Sequence, residues 1–357
     1  ASANVVIAMT SMAWRNSWKY QERSYRHWFW DSGVVAANLL ATCFSAGLSA
    51  RLLVGFVDSE INQLLGLKAG TEATVALAAI GLARNELENR APKKIPEIDL
   101  KTEPLSKDKM EYPIIWETNK ASELQTQTAV REWQNSFHQS RNDRPMHEPA
   151  FPLQMSNEDT PSLAKVILQR GSTRKFAQRP ISFESLSTII DVSSKNISLD
   201  FLHKSESLID FYLIANDVQD LPPGSYFFSH EKRSLEQLKE GKMRYISGYL
   251  SLEQLLFSDA SAVFFLMTDL DLVLGDLGDR GYRAAQFEAG VRAGKIYLSS
   301  YAMGIGASGT TFYDDAVTEF FSPHATGMST MIAVGVGVPA YKARPGRVLP
   351  QFDSSSG

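Results

Sequence analysis

Arg170-Gly-Ser172-Thr-Arg174 places two arginines four positions apart with a serine between them. At a helix end or tight turn, that spacing puts both guanidinium groups on neighbouring positions. Each guanidinium is a fork of donors with a permanent charge, so the pair suits a phosphate. A solvated basic helix end is the competing reading. A second string, Met303-Gly304-Ile-Gly306-Ala-Ser-Gly309, has glycines that let backbone pass close to a planar ligand. It is not a dinucleotide fingerprint, because it follows a helical pattern and precedes a strand pattern, the reverse of what that fingerprint needs. A helix C-cap with a tight turn explains the same glycines and is compatible with ligand binding. Lys342 and Arg344, with Arg347 close by, form a basic cluster that also reads as a solvated tail. Trp18-Lys19-Tyr20 stands three positions before Arg23-Ser-Tyr25-Arg26.

The elements that must position these residues are arranged as a repeat. Tyr25, Asp31, Gly33 and Gly47 have counterparts in Tyr282, Glu288, Gly290 and Gly304, every pair separated by 257 positions. The arginines match as well, Arg23 and Arg26 with Arg280 and Arg283. After a slip of one residue, Asp58 aligns with Asp314 and the Val75 segment with Met331. Both copies read strand, loop, long helix, glycine turn, short helix, strand, which is the mark of a duplication. The second copy has upstream material from about Ser162, including helices over Ser162–Arg170 and Phe183–Val192 and strands near Ser207–Ala215 and Gly224. The first copy has almost none, and by analogy lacks about 100 residues. The expected division is a C-terminal half of a first domain over 1–83, a connector over 84–160, a complete second domain over 161–345 and a tail over 346–357. Prolines 92, 96, 104 and 113 break helical continuity in the connector, and Lys120 to Ser140 reads as a polar helix lying across a surface. Mixed helices and strands with antiparallel connections give an α+β class.

Composition narrows the function. The chain has 357 residues, 44% hydrophobic and 21% charged, with a formal net charge of −4. Nothing there favours nucleic acid or an anionic membrane as partner. Cys43 is the sole cysteine, which excludes an internal disulfide or a cysteine metal cluster and fits a reducing, cytoplasmic location. The apolar stretch Val34–Val57 is interrupted by Asn38, Thr42, Ser45, Ser49 and Arg51, so it reads as a core helix running into a strand and not as a bilayer span.

The string R-x-S-x-R-x-F followed by Pro180-Ile-Ser resembles the opening of the FMN-dependent nitroreductase family. The resemblance implies a nitroreductase-like α+β fold, duplicated, with the first copy incomplete. It implies FMN held by Arg170, Ser172 and Arg174, the Gly304–Gly306 segment beside the flavin, and Lys342 and Arg344 against the phosphate. An arginine near the pyrimidine would stabilise charge on the reduced ring. W-K-Y-x-x-R-x-Y-R is similar to the SagB-type branch, whose members oxidise azoline rings in peptides. There a Lys-Tyr pair is regarded as catalytic, which implies that Lys19 and Tyr20 serve as base and proton relay; such a role needs a desolvated lysine. The second copy carries Asp276-Leu277 at the matching positions. Because the family binds FMN at a two-fold interface, a fused duplicate implies an intramolecular pseudo-dimer with one asymmetric site. A generic NAD(P)H-dependent nitro or quinone reductase, and a non-catalytic binding protein of the same fold, remain the alternatives. The substrate is a small molecule or a peptide. The open first copy implies that a preceding segment, or a second copy in a homo-oligomer, covers residues 5–57.

Overall fold

A computed structural model describes residues 3–82, 98, 101, 108–137, 148–203 and 206–341. The first half contains β1 (Ala3–Met12), α1 (Trp14–Tyr20), α2 (Ser24–Ser45), β2 (Ala50–Leu53), α3 (Asp58–Leu64) and β3 (Glu72–Leu82). Two connector helices follow, α4 (Pro113–Ala121) and α5 (Gln127–Gln134). Next come β4 (Ala150–Pro152), α6 (Leu163–Gln169), α7 (Phe183–Ser194), β5 (Asp210–Ala215), β6 (Gly224–Ser229), β7 (Ser234–Glu240), α8 (Arg244–Leu250) and α9 (Leu255–Asp259). The chain closes with β8 (Ala262–Asp269), α10 (Leu270–Ala302), β9 (Gly306–Thr310), α11 (Asp314–Phe321) and β10 (Met328–Gly337).

Local chemistry accounts for the helix starts. Ser162 and Ser182 cap α6 and α7 by accepting from Lys165 N and Ser185 N, as their positions predict. Pro113 does not interrupt a helix; it opens α4 at the first turn, where its missing N–H would have had no partner. α8 was not apparent from the sequence. The polar helix expected from Lys120 to Ser140 is instead the end of α4 and a separate α5, which buries Trp133.

Every strand pair among the described residues is antiparallel, in sheets ordered β1-β3-β2 and β4-β7-β6-β5-β8-β10-β9. The end of the larger sheet repeats the smaller one: β8-β10-β9 has the order of β1-β3-β2. The register repeats too, Ala50 opposite Ile80 in one and Ala307 opposite Val336 in the other. Gly47 (φ 68°) and Gly304 (φ 70°) end the long helices in the left-handed region. In each case the next residue donates back at 2.8 Å, Leu48 to Cys43 and Ile305 to Ser300. Even the helix breaks correspond. Gln21 (φ 52°) precedes α2, and its counterpart Gly278 (φ 56°) breaks α10.

The two long helices run side by side in the same direction, with counterpart residues facing each other. The rings of Tyr25 and Tyr282 stack with centroids 6.3 Å apart. At Gly33 and Gly290 the backbones touch, and a Cβ on Gly33 would come within 2.6 Å of Gly290. Only glycine allows that approach. Ion pairs cross reciprocally between halves. Arg23 and Arg26 reach Asp314 at 2.6 Å each, while Arg280 and Arg283 reach Asp58 at 2.6 and 2.8 Å. Arg26 donates to the Tyr282 hydroxyl and Arg283 to that of Tyr25. A pseudo-two-fold axis therefore lies along the helix pair.

The connector breaks this symmetry. α4 and the residues after it close over Asp58: Asn119 Oδ1 accepts from Arg283, Ser122 O from Arg280, and Leu124 N donates to Asp58. Nothing equivalent among the described residues covers Asp314. In the first half Val5, Val6, Val35 and Phe44 face solvent. No helix among the described residues is long and apolar enough to cross a membrane.

Candidate functional site

The arginine string leaves α6 and runs beside β9, the edge strand of the larger sheet. Arg170 caps α6, its N–H bonding to Val166 O. Ser172 bridges to Ala307, and Thr173 N donates to Ala307 O at 2.8 Å. Gly306 makes this possible, because a Cβ there would fall 2.3 Å from the Thr173 hydroxyl. Further along, Ala177 N bonds to Val338 O and Ala340 N to Lys175 O, so the string and the end of β10 advance together. Arg174 N donates to the Tyr341 hydroxyl at 2.9 Å. Lys342 and Arg344 lie outside the described residues; the described chain reaches Tyr341, against Arg174, immediately before them.

The side chains sort themselves by exposure. Arg170 is half-buried, its Nε on Asn38 Oδ1 of α2 at 3.1 Å. Ser172 and Arg174 are exposed. The Ser172 hydroxyl lies 3.2 Å from that of Tyr297, which also accepts from Gly309 N. Arg170, Ser172, Arg174 and Gly306 thus share one neighbourhood, with Gly304 at the adjoining helix end. Two guanidiniums and a hydroxyl beside a sheet edge fit a phosphate monoester. No group of three or more His, Cys, Asp or Glu suited to a metal occurs among the described residues.

Lys19 and Tyr20 sit at the other end of α2. The Lys19 amine is exposed, 5.1 Å from the Tyr20 ring. That ring stacks on His27 at 4.0 Å. Burial lowers the His27 pKa to about 4, helped by Arg23, Arg26 and Lys19, against the bond to Arg23 O. The imidazole is therefore neutral at physiological pH. Arg23 reaches across to Phe312 O at 3.4 Å, which puts this cluster at the turn after β9. From Arg23 to Asn38 α2 rises roughly 22 Å, so the Lys-Tyr pair and the arginine string do not touch. The string lies against Ala307 in β9 and the cluster reaches Phe312, just past the strand's other end.

Asn38, Tyr297, Tyr341 and the Thr311–Phe312 turn were not singled out from the sequence. Asn38 left a trace as a polar residue in an otherwise apolar helix. The tyrosines left none. Elsewhere, a cleft of about 1160 Å³ opens between the C-terminal halves of α2 and α10 and the helices α6 and α7. It holds none of the predicted site residues. Lys295 lines it, its pKa pushed down to about 7 by burial and by Arg292 and Lys195.

The chain is similar to nitroreductase-like proteins. No family model matches the chain. A nitroreductase-like protein of Methanocaldococcus jannaschii is 22% identical over 174 residues, 47% of this chain and 87% of that protein. The crystal structure of a nitroreductase-like protein from Anabaena variabilis superposes with a TM-score of 0.73 at 21% identity. That match covers 95% of this chain and 70% of the other. One from Ralstonia eutropha covers 54% of this chain and 91% of its own, with a TM-score of 0.45 at 18% identity. With the topology described above, the extended match to the Anabaena protein makes the fold of this chain the nitroreductase fold.

Proposed function

We propose that the chain is an FMN-dependent oxidoreductase with its two halves forming a tandem-duplicated pseudo-dimer. The observation that carries the reading is the donor set of half-buried Arg170 with exposed Ser172 and Arg174 against the β9 edge. Arg170 is steadied by Asn38 from the other half. These groups would hold the FMN phosphate, with Lys342 and Arg344 adding charge from the segment after Tyr341. When bound, FMN would supply a two-electron centre that exchanges hydride with a substrate.

The residues around Tyr20 would handle the proton. The Tyr20 hydroxyl would relay the proton released as hydride departs, with its ring held by stacking on neutral His27, and Lys19, exposed in this structure, would act as the base only once bound flavin and substrate desolvate it. On this reading the finer assignment is oxidation of thiazoline or oxazoline rings in a peptide, because the W-K-Y-x-x-R-x-Y-R string is intact. A substrate with a peptide chain also suits an exposed Lys19 beside a half-buried Tyr20.

Charge reversal of Arg174 to Glu tests the proposal. The wild type should retain FMN, seen in its visible absorbance, and the variant should lose it. Colourless wild-type protein that takes up no added FMN would overturn the proposal. Bleaching of bound flavin by NADPH without a peptide would move the assignment to a nitro or quinone reductase.

A further inference from the structure

The pseudo-two-fold axis relates two turns near the starts of the long helices: Thr311–Phe312, which Arg23 reaches at Phe312 O, and Val54–Gly55, which Arg280 reaches at Val54 O; by the same symmetry Tyr20 corresponds to Leu277. At the first turn, neither the Thr311 nor the Phe312 N–H has an acceptor among the described residues. At the second, both donors are satisfied. The Asp200 carboxylate accepts from Val54 N at 2.9 Å and Gly55 N at 3.0 Å, and Gln134 Nε2 donates to it at 2.7 Å.

An aromatic ring completes the second turn. The indole of Trp133 lies against Gly55, where a Cβ would come within 2.9 Å of it. Its N–H donates to Leu277 O at 2.9 Å, and Leu277 is the counterpart of Tyr20. The connector therefore puts a flat ring between the turn and the Tyr20-equivalent position, and Asp200, from the segment after α7, supplies the acceptors on the turn amides. The other side of the second site differs as well. Gly47–Ala50, the counterparts of Gly304–Ala307, border the apolar cleft, which no arginine lines.

We propose that Trp133, with Asp200 and Gln134, fills the second of two pseudo-equivalent ring slots, so that the chain holds one flavin ring, between Tyr20 and the Thr311–Phe312 turn. The identity of the ligand rests on the flavin reading. The filling of the second slot does not. Trp133 and Asp200 show what the open slot accepts: a planar aromatic system whose edge carries hydrogen-bond acceptors.

Stoichiometry tests the proposal. Wild-type protein titrated with FMN should bind one equivalent per chain, and should then take up no lumiflavin, the ring without its ribityl phosphate. Trp133→Gly should gain one equivalent of lumiflavin, read as quenching of its fluorescence, while Trp133→Phe should gain none. Two equivalents of FMN in the wild type overturn the proposal. So does a Trp133→Gly chain with the wild-type circular dichroism spectrum that takes no lumiflavin. Should that variant not fold, Trp133→Leu carries the same test, and absence of a gain there counts against the proposal. If the wild type binds no FMN but Trp133→Gly takes lumiflavin, the flavin reading fails and the filled slot stands.

Discussion

Replacing Asp58 with Asn removes one acceptor from a site where three donors converge. Asp58 Oδ2 accepts from Arg280 at 2.6 Å and Leu124 N at 2.9 Å, and Oδ1 accepts from Arg283 at 2.8 Å. An amide has one oxygen, so either Arg283, or Arg280 together with the Leu124 amide, would face an NH2 group. The side chains of Asp58, Arg280 and Arg283 are all 2% exposed or less. Breaking a buried pair leaves charge without compensation and costs about 3–5 kcal/mol. The pseudo-symmetric variant, Asp314→Asn, disturbs the same chemistry in a wetter place. There Arg23, Arg26 and Asp314 are 48%, 22% and 31% exposed, and such pairs contribute about 0–1 kcal/mol. Denaturant unfolding of both variants should therefore show a large loss for Asp58→Asn and a small one for Asp314→Asn. Equal losses would refute the argument that burial, and not the pairing itself, sets the magnitude.

Gly33→Ala should lower stability by about 1–3 kcal/mol, because the methyl group meets backbone that cannot turn aside; Gly275→Ala, with open space around it, should not, and thermal unfolding compares them. Lys19→Met should leave flavin retention unchanged and reduce turnover, and a turnover equal to the wild type would remove Lys19 from the proposed chemistry. His27 titrates from 6.5 when unfolded to about 4 when folded. Its contribution to stability is thus complete above pH 6.5 and lost as pH falls through 4. His27→Gln should flatten the stability profile in that window, and an NMR midpoint for His27 near 6.5 would contradict the burial argument.

Much of this architecture was readable because the repeat is written in residues with strict geometric demands. Gly33 and Gly290 stand at the helix crossing, Gly47 and Gly304 at left-handed caps, and R-x-x-R with Asp58 or Asp314 at the crossed ion pairs. The ion pairs themselves could have been foreseen, since a two-fold exchange makes each half's arginines available to the other's aspartate. The connector was less legible. Its charges and prolines suggested a surface strap, yet Ile115, Trp133 and Phe137 are buried. Three apolar residues at no regular period carry no signal until the surface that receives them is known. Lys19 and Tyr20 were found by motif alone, and their partner His27 stacks through a helix start that no periodicity marks.

The helix pair also explains what covalent fusion of two halves permits. In a dimer of identical subunits, any change near the axis appears twice and must suit both sites at once. Here position 38 is asparagine, which accepts from Arg170, whereas its counterpart is Lys295, which donates to Lys195 O. A lysine in both places would set one cation against another at the arginine string. Trp30 likewise donates to Gln286 across the pair, a contact whose mirror image, Phe29 with Phe287, has no such donor. At these positions each half has therefore changed without its counterpart changing in the same way. A single gene can then refine one site while closing the second.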